Sequence, residues 1–581
     1  MAVSYVPATY ESVEKKSEAP AFIDSDRKIA RQIDSLQRIS RSERNKQIGE
    51  NHIQDMKDFQ SLAYYSSSAT TSYRRRIILP ELQFLAMSES TDLTNDSPKF
   101  YISVNGKRDE QREKALAAAW RNGMYNNRIF DAVLWSQYTN PAWLQLGFNP
   151  DARNGKGSVW LTSRDPDTVH PDPHSRNDKT WSYVITEDWF YIDEIRRMWP
   201  EKGRYVRANA EIDEPYDEQQ ASSYGLSMDL PQDSSLRIDA PEGFENSRKG
   251  SRKRVRYLWI KDYAKEAVRE IAGNETAEGI ELLVSPILKW KYPGGRFIVE
   301  CDGIVLADGP NFVPKLPEDD FATFPIIGLW SFPHLESIYG PPPVRYGKSS
   351  QETAEFMMQQ AVENAVRTNN AQCWIPKDSG IDIDAYGGLA GEVQVYDGEK
   401  PPTMAWPSAM PQHMMQMPQT LLQLVDKYQG WNPQRQGEAG AGNVSPDLFD
   451  AAVIQSKDLN RMKARFLSET YQRVASLMFY MMVRFKVMPD QLRPAFGKDK
   501  EACKWMPIPD GAECELMLDD ASVQAISKTA LQKVVSGLAK TGALPTKYVL
   551  ESFDIPNAEE LGDQAEKQQA LAALSKLKKP R

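Results

Sequence analysis

Residues able to do chemistry occur in a few separated places. His170, Asp172 and His174 stand in VHPDPH, and all three types can ligate a metal. Asp-Pro is also a turn signal between strands, and that reading accounts for the whole motif. The segment YGKSS at 346–350 resembles the end of a phosphate loop. Such a loop needs Gly five residues before its Gly-Lys, so that backbone amides can wrap a phosphate. Here that position is Pro342, between Pro341 and Pro343, and none of the three can donate. The carboxylate pairs Asp319/Asp320 and Asp519/Asp520 fall at a loop or a helix start, where negative charge is stabilised anyway. With five His and no Ser/His/Asp or Cys/His arrangement, the sequence gives no catalytic residue, no metal ligand set and no cofactor.

Charge is concentrated in two neighbouring stretches. Residues 209–246 hold ten Asp or Glu and one Arg among Ser, Gln and Pro, and read as a flexible acidic insertion. It runs into SRKGSRKRVRY, where six of the nine residues from Arg248 to Arg256 are basic. Such a run can contact nucleic acid, but more often it is a solvated strand edge or pairs with nearby acid. Arg74, Arg75 and Arg76 carry the same ambiguity. The net charge of −9 is against a protein whose main work is gripping phosphates. It is compatible with one that lets a polyanion slide past.

The 581 residues are too many for one core. The richest apolar run, LMFYMMV at 477–483, is far shorter than the roughly 20 residues of a membrane span. The N-terminus lacks the pattern of a signal peptide. Cys301, Cys373, Cys503 and Cys514 are far apart, so neither a zinc nor a disulfide framework is expected.

The elements that must position these groups can be read from periodicity. A polar, partly helical arm covers 1–50. An alanine-rich segment at 109–138 has helical spacing through Ala118, Met124, Ile129, Ala132 and Leu134. Alternating strand-like text follows from 157 to 190, then a short helix in YIDEIRRMWPE, then β-rich text from 255 to 311 with Pro-Gly-Gly and Asp-Gly turns. Ser349 and Glu352 form a capping box, and Ala354, Met358, Ala361, Val362 and Ala365 line the helix beyond it. A second helix carries Met410, Met414, Met417, Leu421, Leu424 and Tyr428 in alternating steps of three and four, with a kink expected at Pro418.

Between this helix and the next lies GWNPQRQGEAGAGNVSPDLF, polar and glycine-rich. A structureless link of that length usually has a task of its own. Ser445 then suits an N-cap with Pro446 at the first helical position. The helix they open should run to about Lys486, roughly 60 Å, and bury Ile454, Leu459, Met462, Phe466, Val474, Met478, Met481 and Phe485. Two shorter helical segments, at 520–539 and about 556–578, complete the chain.

This order of elements resembles the portal proteins of tailed bacteriophages, the head-to-tail connectors. The matching text is FPIIGLWSFPHLESIYGPPPVRYGKSSQETAEFMMQQAVENAVRTNNAQCWIP, VHPDPHSRNDKTWSYVITEDWFYIDEIRRMWP, and GEAGAGNVSPDLFDAAVIQSKDLNRMKARFL. It covers about 140 residues, and the remainder matches by architecture. The resemblance implies an α+β ring subunit with a mixed α/β wing, helical stem, small clip, long spine helix and helical crown. Carried over, 51–345 is the wing, 346–370 and 408–429 the stem helices and 371–407 the clip. Residues 430–445 are the tunnel loop, 446–519 the long helix with its return to the wing, and 520–581 the crown. Pro418 and the insertion 209–246 depart from the plain pattern.

The resemblance further implies a self-assembled ring, usually of twelve, at one capsid vertex of the virion, assembled in the cytoplasm of a host bacterium. Double-stranded DNA would pass through it during packaging and ejection. Partners would be the major capsid protein, scaffolding protein, terminase large subunit and a head–tail adaptor, with no membrane span. Within the tunnel loop, Asn432, Gln434, Gln436, Glu438 and Asn443 would line the channel, and Arg435 would make the one direct phosphate contact. The alternative is a DNA-packaging ATPase or nuclease, which the missing phosphate loop disfavours.

Overall fold

The computed structural model describes residues 22–61, 77–95, 97–152, 157–206, 252–268, 287–332, 334–369, 372–374, 377, 403–405, 411–429, 458–487 and 514–518, with a few single positions beyond. The fold is α+β, and each of its described sheets contains antiparallel strand pairs. The described residues form two compact units. One lies within Met1–Glu50, Asp167–Gln220 and Met228–Ile326, the other within Asn51–Pro166 and Ile327–Arg581. The stretch 51–345, read above as one lobe, is divided between them.

The first unit is built on a five-stranded sheet. Its strands are β5 (Val169–Pro171), β6 (Tyr183–Tyr191), β7 (Arg252–Ile260), β10 (Arg296–Cys301) and β11 (Ile304–Pro310), in the order β11-β10-β7-β6-β5. Asp302 and Gly303 join β10 to β11 with φ of 52° and 80°. Both angles lie in the left-handed region, as the Asp-Gly signal requires of a tight hairpin. A separate ribbon pairs β8 (Lys265–Val268) with β9 (Ile287–Trp290).

Alternation gives the sheet two buried faces. Tyr183, Ile185, Leu258, Ile298 and Val305 pack with Ile33 of α1 (Phe22–Ile48). Val255, Val299, Cys301, Ile304 and Leu306 pack with Ile195 of α6 (Ile192–Met198). Helix α1 buries Asp26, Ala30, Ile33, Gln37, Ser40, Arg44 and Ile48, a stripe of which four of seven are polar. Polar bonds therefore do much of the docking. Arg256 pairs with Glu300 at 2.6 Å and with Asp34 on α1. Asp26 accepts from the Val305 amide and from Lys202, both at 3.2 Å. Arg44 meets Asp167 at 2.8 Å, and Ser40 donates to the Pro171 carbonyl at 2.7 Å. Gln37 donates to buried Glu187, which Arg41 approaches to 3.4 Å and His170 Nε2 to 3.3 Å.

The second unit contains α2 (His52–Ser61), α3 (Glu81–Thr94), α4 (Glu110–Asn122) and α5 (Tyr125–Tyr138). Of its sheets, one orders β15 (Cys514–Leu518), β1 (Phe100–Val104) and β2 (Lys107–Arg108). Another orders β12 (Ile326–Leu329), β3 (Ala142–Asn149) and β4 (Ser158–Arg164). The helix expected through 109–138 is two helices. It breaks at Gly123 and Met124, where Met124 has a φ of 50° and is 67% exposed. Met124 is thus not on a buried face. Asp109 caps the first piece by accepting the Arg112 amide at 3.1 Å. Strands β1, β3, β12 and β15 were not anticipated.

The long helix is described from Asp458 to Arg484 as α9, about 40 Å at 1.5 Å per residue. Residues 446–457, including the expected N-terminal turn, lie outside the described residues. Val474, Met478 and Met481 are buried as expected, whereas Met462, Phe466 and Phe485 are half-buried. Near the start the buried line is Lys463, Ala464 and Leu467 instead. The helix ends with Lys486 left-handed, its amide bonded to Val483 O at 3.2 Å and the Val487 amide to Met482 O at 3.1 Å. That is the Schellman arrangement, built here without glycine. Lys463 is 3% exposed and pairs with buried Glu89 of α3 at 2.6 Å. Its ammonium also lies 3.4 Å from Gln137 Oε1 of α5 and 4.9 Å from the centre of the Phe332 ring.

Two predictions follow from these charges. Lys463→Met or Glu89→Leu alone should destabilise the second unit by about 3–5 kcal/mol, because each leaves an uncompensated buried charge. The double variant should recover most of that loss, which denaturant unfolding of the four proteins would measure. In the first unit, burial lowers the His170 pKa against the pull of Glu187. The Glu187 carboxyl is held below the usual carboxylate range: its contacts with His170, Arg254 and Arg41 outweigh burial. Both groups bind protons more readily when unfolded, so stability should fall as pH drops below about 6.5 and again below about 4.3. Glu187→Gln should be less stable at pH 7 and lose the second of these declines, read from denaturation midpoints across pH.

Candidate functional site

The expected channel residues Asn432, Gln434, Arg435, Gln436, Glu438 and Asn443 lie outside the described residues. So do Ser445, Pro446, Arg74, Arg75 and Arg76, and all but isolated positions of 520–581. What is described is the pair of helices leading to that loop. Helix α7 spans Pro343–Asn369 and α8 spans Gln412–Gln429. The ends of the insert between them meet as β13 (Gln372–Trp374) and β14 (Thr403–Ala405).

Helix α7 starts at Pro343, where a missing amide hydrogen costs nothing. Ser349 therefore lies inside the helix, accepting from Thr353 Oγ1 at 2.7 Å, and is not the cap expected from its S-x-x-E spacing. The YGKSS segment is helical. Gly347 serves close packing: a Cβ there would stand 2.9 Å from Leu82 of α3 and 3.3 Å from Val425 of α8. Contact between Gly347, near the start of α7, and Val425, near the end of α8, shows that the two helices run antiparallel. Lys348 Nζ lies 3.9 Å from Glu352 and 5.2 Å from the centre of the Phe59 ring.

Helices α2, α3, α5, α7 and α8 share a core of Met56, Phe59, Leu82, Leu85, Ala86, Tyr138, Val344 and Val425. Helices α3 and α7 also share a cap. Helix α3 opens after Pro80, which has no side chain to satisfy the first free amides. Buried Gln351 on α7 accepts the Leu82 amide at 2.9 Å, and Glu355 accepts the Leu79 amide at 3.2 Å. Gln351 Nε2 donates to Glu355 at 3.1 Å, which orients both. The carboxylate also suits the positive end of α3. A Gln and a Glu four apart on a helix face were the sequence signal for this pair, but nothing in the sequence pointed to α3 as its partner.

The expected seam of α8 is not what the chain buries. Pro418 and Val425 are buried, with Leu421, Leu422 and Leu424 half-buried between them. Met414, Met417 and Tyr428 are 40%, 46% and 49% exposed, and Met415 is 61% exposed. The inward line is thus displaced by about one residue. Helix α7 buries Ala354 as expected but exposes Val362, along with Tyr346, Phe356 and Val366. Large apolar side chains therefore face outward on both helices. Pro418 lies within an unbroken α8.

The other sequence candidates resolve locally. Asp172 accepts the His174 and Ser182 amides, both at 3.1 Å, so VHPDPH is strand β5 running into a turn closed by its own aspartate. His170 points to Glu187. Among the described residues no group of three or more His, Cys, Asp or Glu is placed to hold a metal ion. Among them, too, no helix is long and apolar enough to cross a membrane. Asp319 is buried and accepts from Thr323 Oγ1.

No model of a known protein family matches the chain, and no curated protein matches it. Gln351→Leu should leave the buried Leu82 amide unpaired and cost about 1–3 kcal/mol of stability in denaturant unfolding. Gln351→Glu keeps an acceptor for that amide but sets a second carboxylate against Glu355, so it should cost at least as much at neutral pH and recover as the pH falls.

Proposed function

We propose that this chain is the portal subunit of a tailed bacteriophage, a non-enzymatic ring through which double-stranded DNA enters and leaves the capsid. The observation that carries the reading is the outward apolar surface of the antiparallel pair α7 and α8. Tyr346, Phe356, Val362 and Val366 on one helix and Met414, Met415, Met417 and Tyr428 on the other are 40–62% exposed. Large apolar side chains left exposed on neighbouring helices suit an interface. A second copy of the same chain is the simplest cover. Flexible methionines suit a contact in which neighbours must shift slightly.

The order of elements supports the same reading: paired helices joined through a small β insert, then a polar glycine-rich stretch, then a long helix. In this function the stretch 430–445 lines the channel, with Arg435 as the phosphate contact and the amides of Asn432, Gln434, Gln436 and Asn443 around it. Glu438 keeps the lining from becoming strongly cationic, which favours passage over capture. Capsid, scaffold, terminase and adaptor would bind the outer surfaces. The engagement of Lys348 with Glu352 and Phe59 supports this reading over the packaging ATPase.

Native mass measurement and negative-stain imaging should show closed rings with a central hole. Phe356→Glu combined with Met417→Glu should yield folded protein that no longer closes. A stable monomer at micromolar concentration would refute the proposal.

A further inference from the structure

One imidazole lies under the polar stripe that docks α1. His170, on the edge strand β5, is 0% exposed. Its Nε2 lies 3.3 Å from Glu187 of β6, and its buried Nδ1 meets no hydrogen-bond partner among the described residues. Helix α1 supplies the cover. Ser40 donates to the Pro171 carbonyl at 2.7 Å, Gln37 donates to Glu187, Arg41 approaches Glu187 to 3.4 Å, and Arg44 meets Asp167 at 2.8 Å. Arg254 of β7 reaches Glu187 from the sheet, at 3.6 Å. His170 thus feels one carboxylate, Glu187, and two guanidinium groups of α1, Arg41 and Arg44. Beyond β5, His174 acts on Glu43 of α1.

A proton added to His170 is poorly accommodated while α1 is docked. It puts an N–H donor on the unpartnered Nδ1, and it sets a buried positive charge beside Arg41 and Arg44. Glu187 can hold the imidazolium, but only in competition with Gln37 and Arg41, the groups through which α1 holds that carboxylate. With α1 lifted away, His170 and Glu187 stay on the paired strands β5 and β6, and the cations of α1 are gone. Burial accordingly lowers the His170 pKa in the docked state, and Arg41 and Arg44 add to that against the pull of Glu187. Glu187 is held well below the usual carboxylate range, so it stays ionised while His170 titrates.

We infer that α1 is a proton-released latch: charging His170 frees the helix while the sheet beneath it stays folded. The sheet has a second core to hold it, since Val255, Val299, Cys301, Ile304 and Leu306 pack with Ile195 and with no residue of α1. The large apolar side chains that α1 itself buries are Ile33 and Ile48. Gly49, with a φ of 100°, ends the helix and gives it a joint on which to swing. The docked state binds the proton less readily than the released one. Docking is therefore full at neutral pH and weakens as the pH falls below about 6.5. One proton is taken up per helix released, so the released population rises by up to about tenfold per pH unit. His174 works in the opposite sense, because its charge would draw Glu43 of α1 closer.

The test is hydrogen exchange of the full chain from about pH 7.5 to about pH 5, read by mass spectrometry and corrected for the intrinsic pH dependence of exchange. In the wild type, peptides from α1 should open by up to about tenfold more per pH unit below about 6.5, while peptides from β7 and β10 keep their protection. His170→Gln cannot take up the proton, so the opening of α1 should no longer change with pH, whatever its level at neutral pH. Arg41→Gln/Arg44→Gln should loosen α1 at neutral pH and make its pH dependence shallower. His174→Gln should keep the wild-type slope. Circular dichroism would confirm that each variant is folded, and if His170→Gln is not, the wild type and the arginine variant decide. The inference fails if α1 and the sheet lose protection together, if His170→Gln or the arginine variant keeps the wild-type slope, or if His174→Gln removes it.

Discussion

A buried ammonium has to be given a counter-charge, and much of the second unit is arranged around that need. Lys463 lies near the start of the described part of α9, where its neighbours in the stripe are apolar. Glu89 reaches it from α3, Gln137 from α5, and the Phe332 ring faces the charge. An apolar contact could slide by a turn at little cost. A charge pair in a low dielectric cannot, because any other register leaves both groups unpaired. The pair therefore sets where α9 lies along α3. Helix α3 in turn receives its cap from Gln351 and Glu355 of α7, so the registers of three distant segments of chain are linked.

The first unit uses charge differently. Helix α1 is too polar to dock by apolar burial alone, and its contacts with the sheet include Arg256, Glu187, Asp26 and Asp167. Asp26 meets Val305 and Lys202 only when the helix is docked, and Glu187 then adds Gln37 and Arg41 to its contacts with His170 and Arg254 of the sheet. The unit is thus sensitive to acid and to the removal of any one partner. The more apolar α7 and α8 show the opposite habit, leaving methionine and aromatic side chains outside. The chain puts its charges inward on one element and its apolar groups outward on another. That contrast separates an element held to its sheet by charge from a helix pair that leaves apolar groups exposed.

How much of this was legible in the sequence depended on whether the signal was local. The Asp302-Gly303 hairpin, the short helix at 192–198 and the alternation through β6 and β7 came directly from turn chemistry and period. The break at Met124 was missed because apolar residues on both sides keep helical spacing. Strands β1 and β15 pair Phe100–Val104 with Cys514–Leu518, and no window along the chain contains both. The seam of α8 was displaced because Met414, Met417 and Tyr428 scored as apolar, whereas the inward positions are decided by Val425 against Leu82 and Gly347. Lys463 was unreadable for a related reason. A lysine within a stripe looks like a solvated interruption until Glu89 is known to face it.

Pro418 has a mechanical meaning. Proline has no amide hydrogen to give the Met414 carbonyl, so α8 lacks one rung of its ladder at that point. Helix α7 carries its only glycine, Gly347, near its start and no proline after Pro343. The two legs of the pair therefore differ in stiffness. A load along them would be borne mainly by α7, while α8 would yield at Pro418. Below that point Val425 anchors α8 to the core, and above it lie Met414, Met415 and Met417. The upper half could thus tilt while its base stayed fixed, in the manner of a sprung finger on a rigid post.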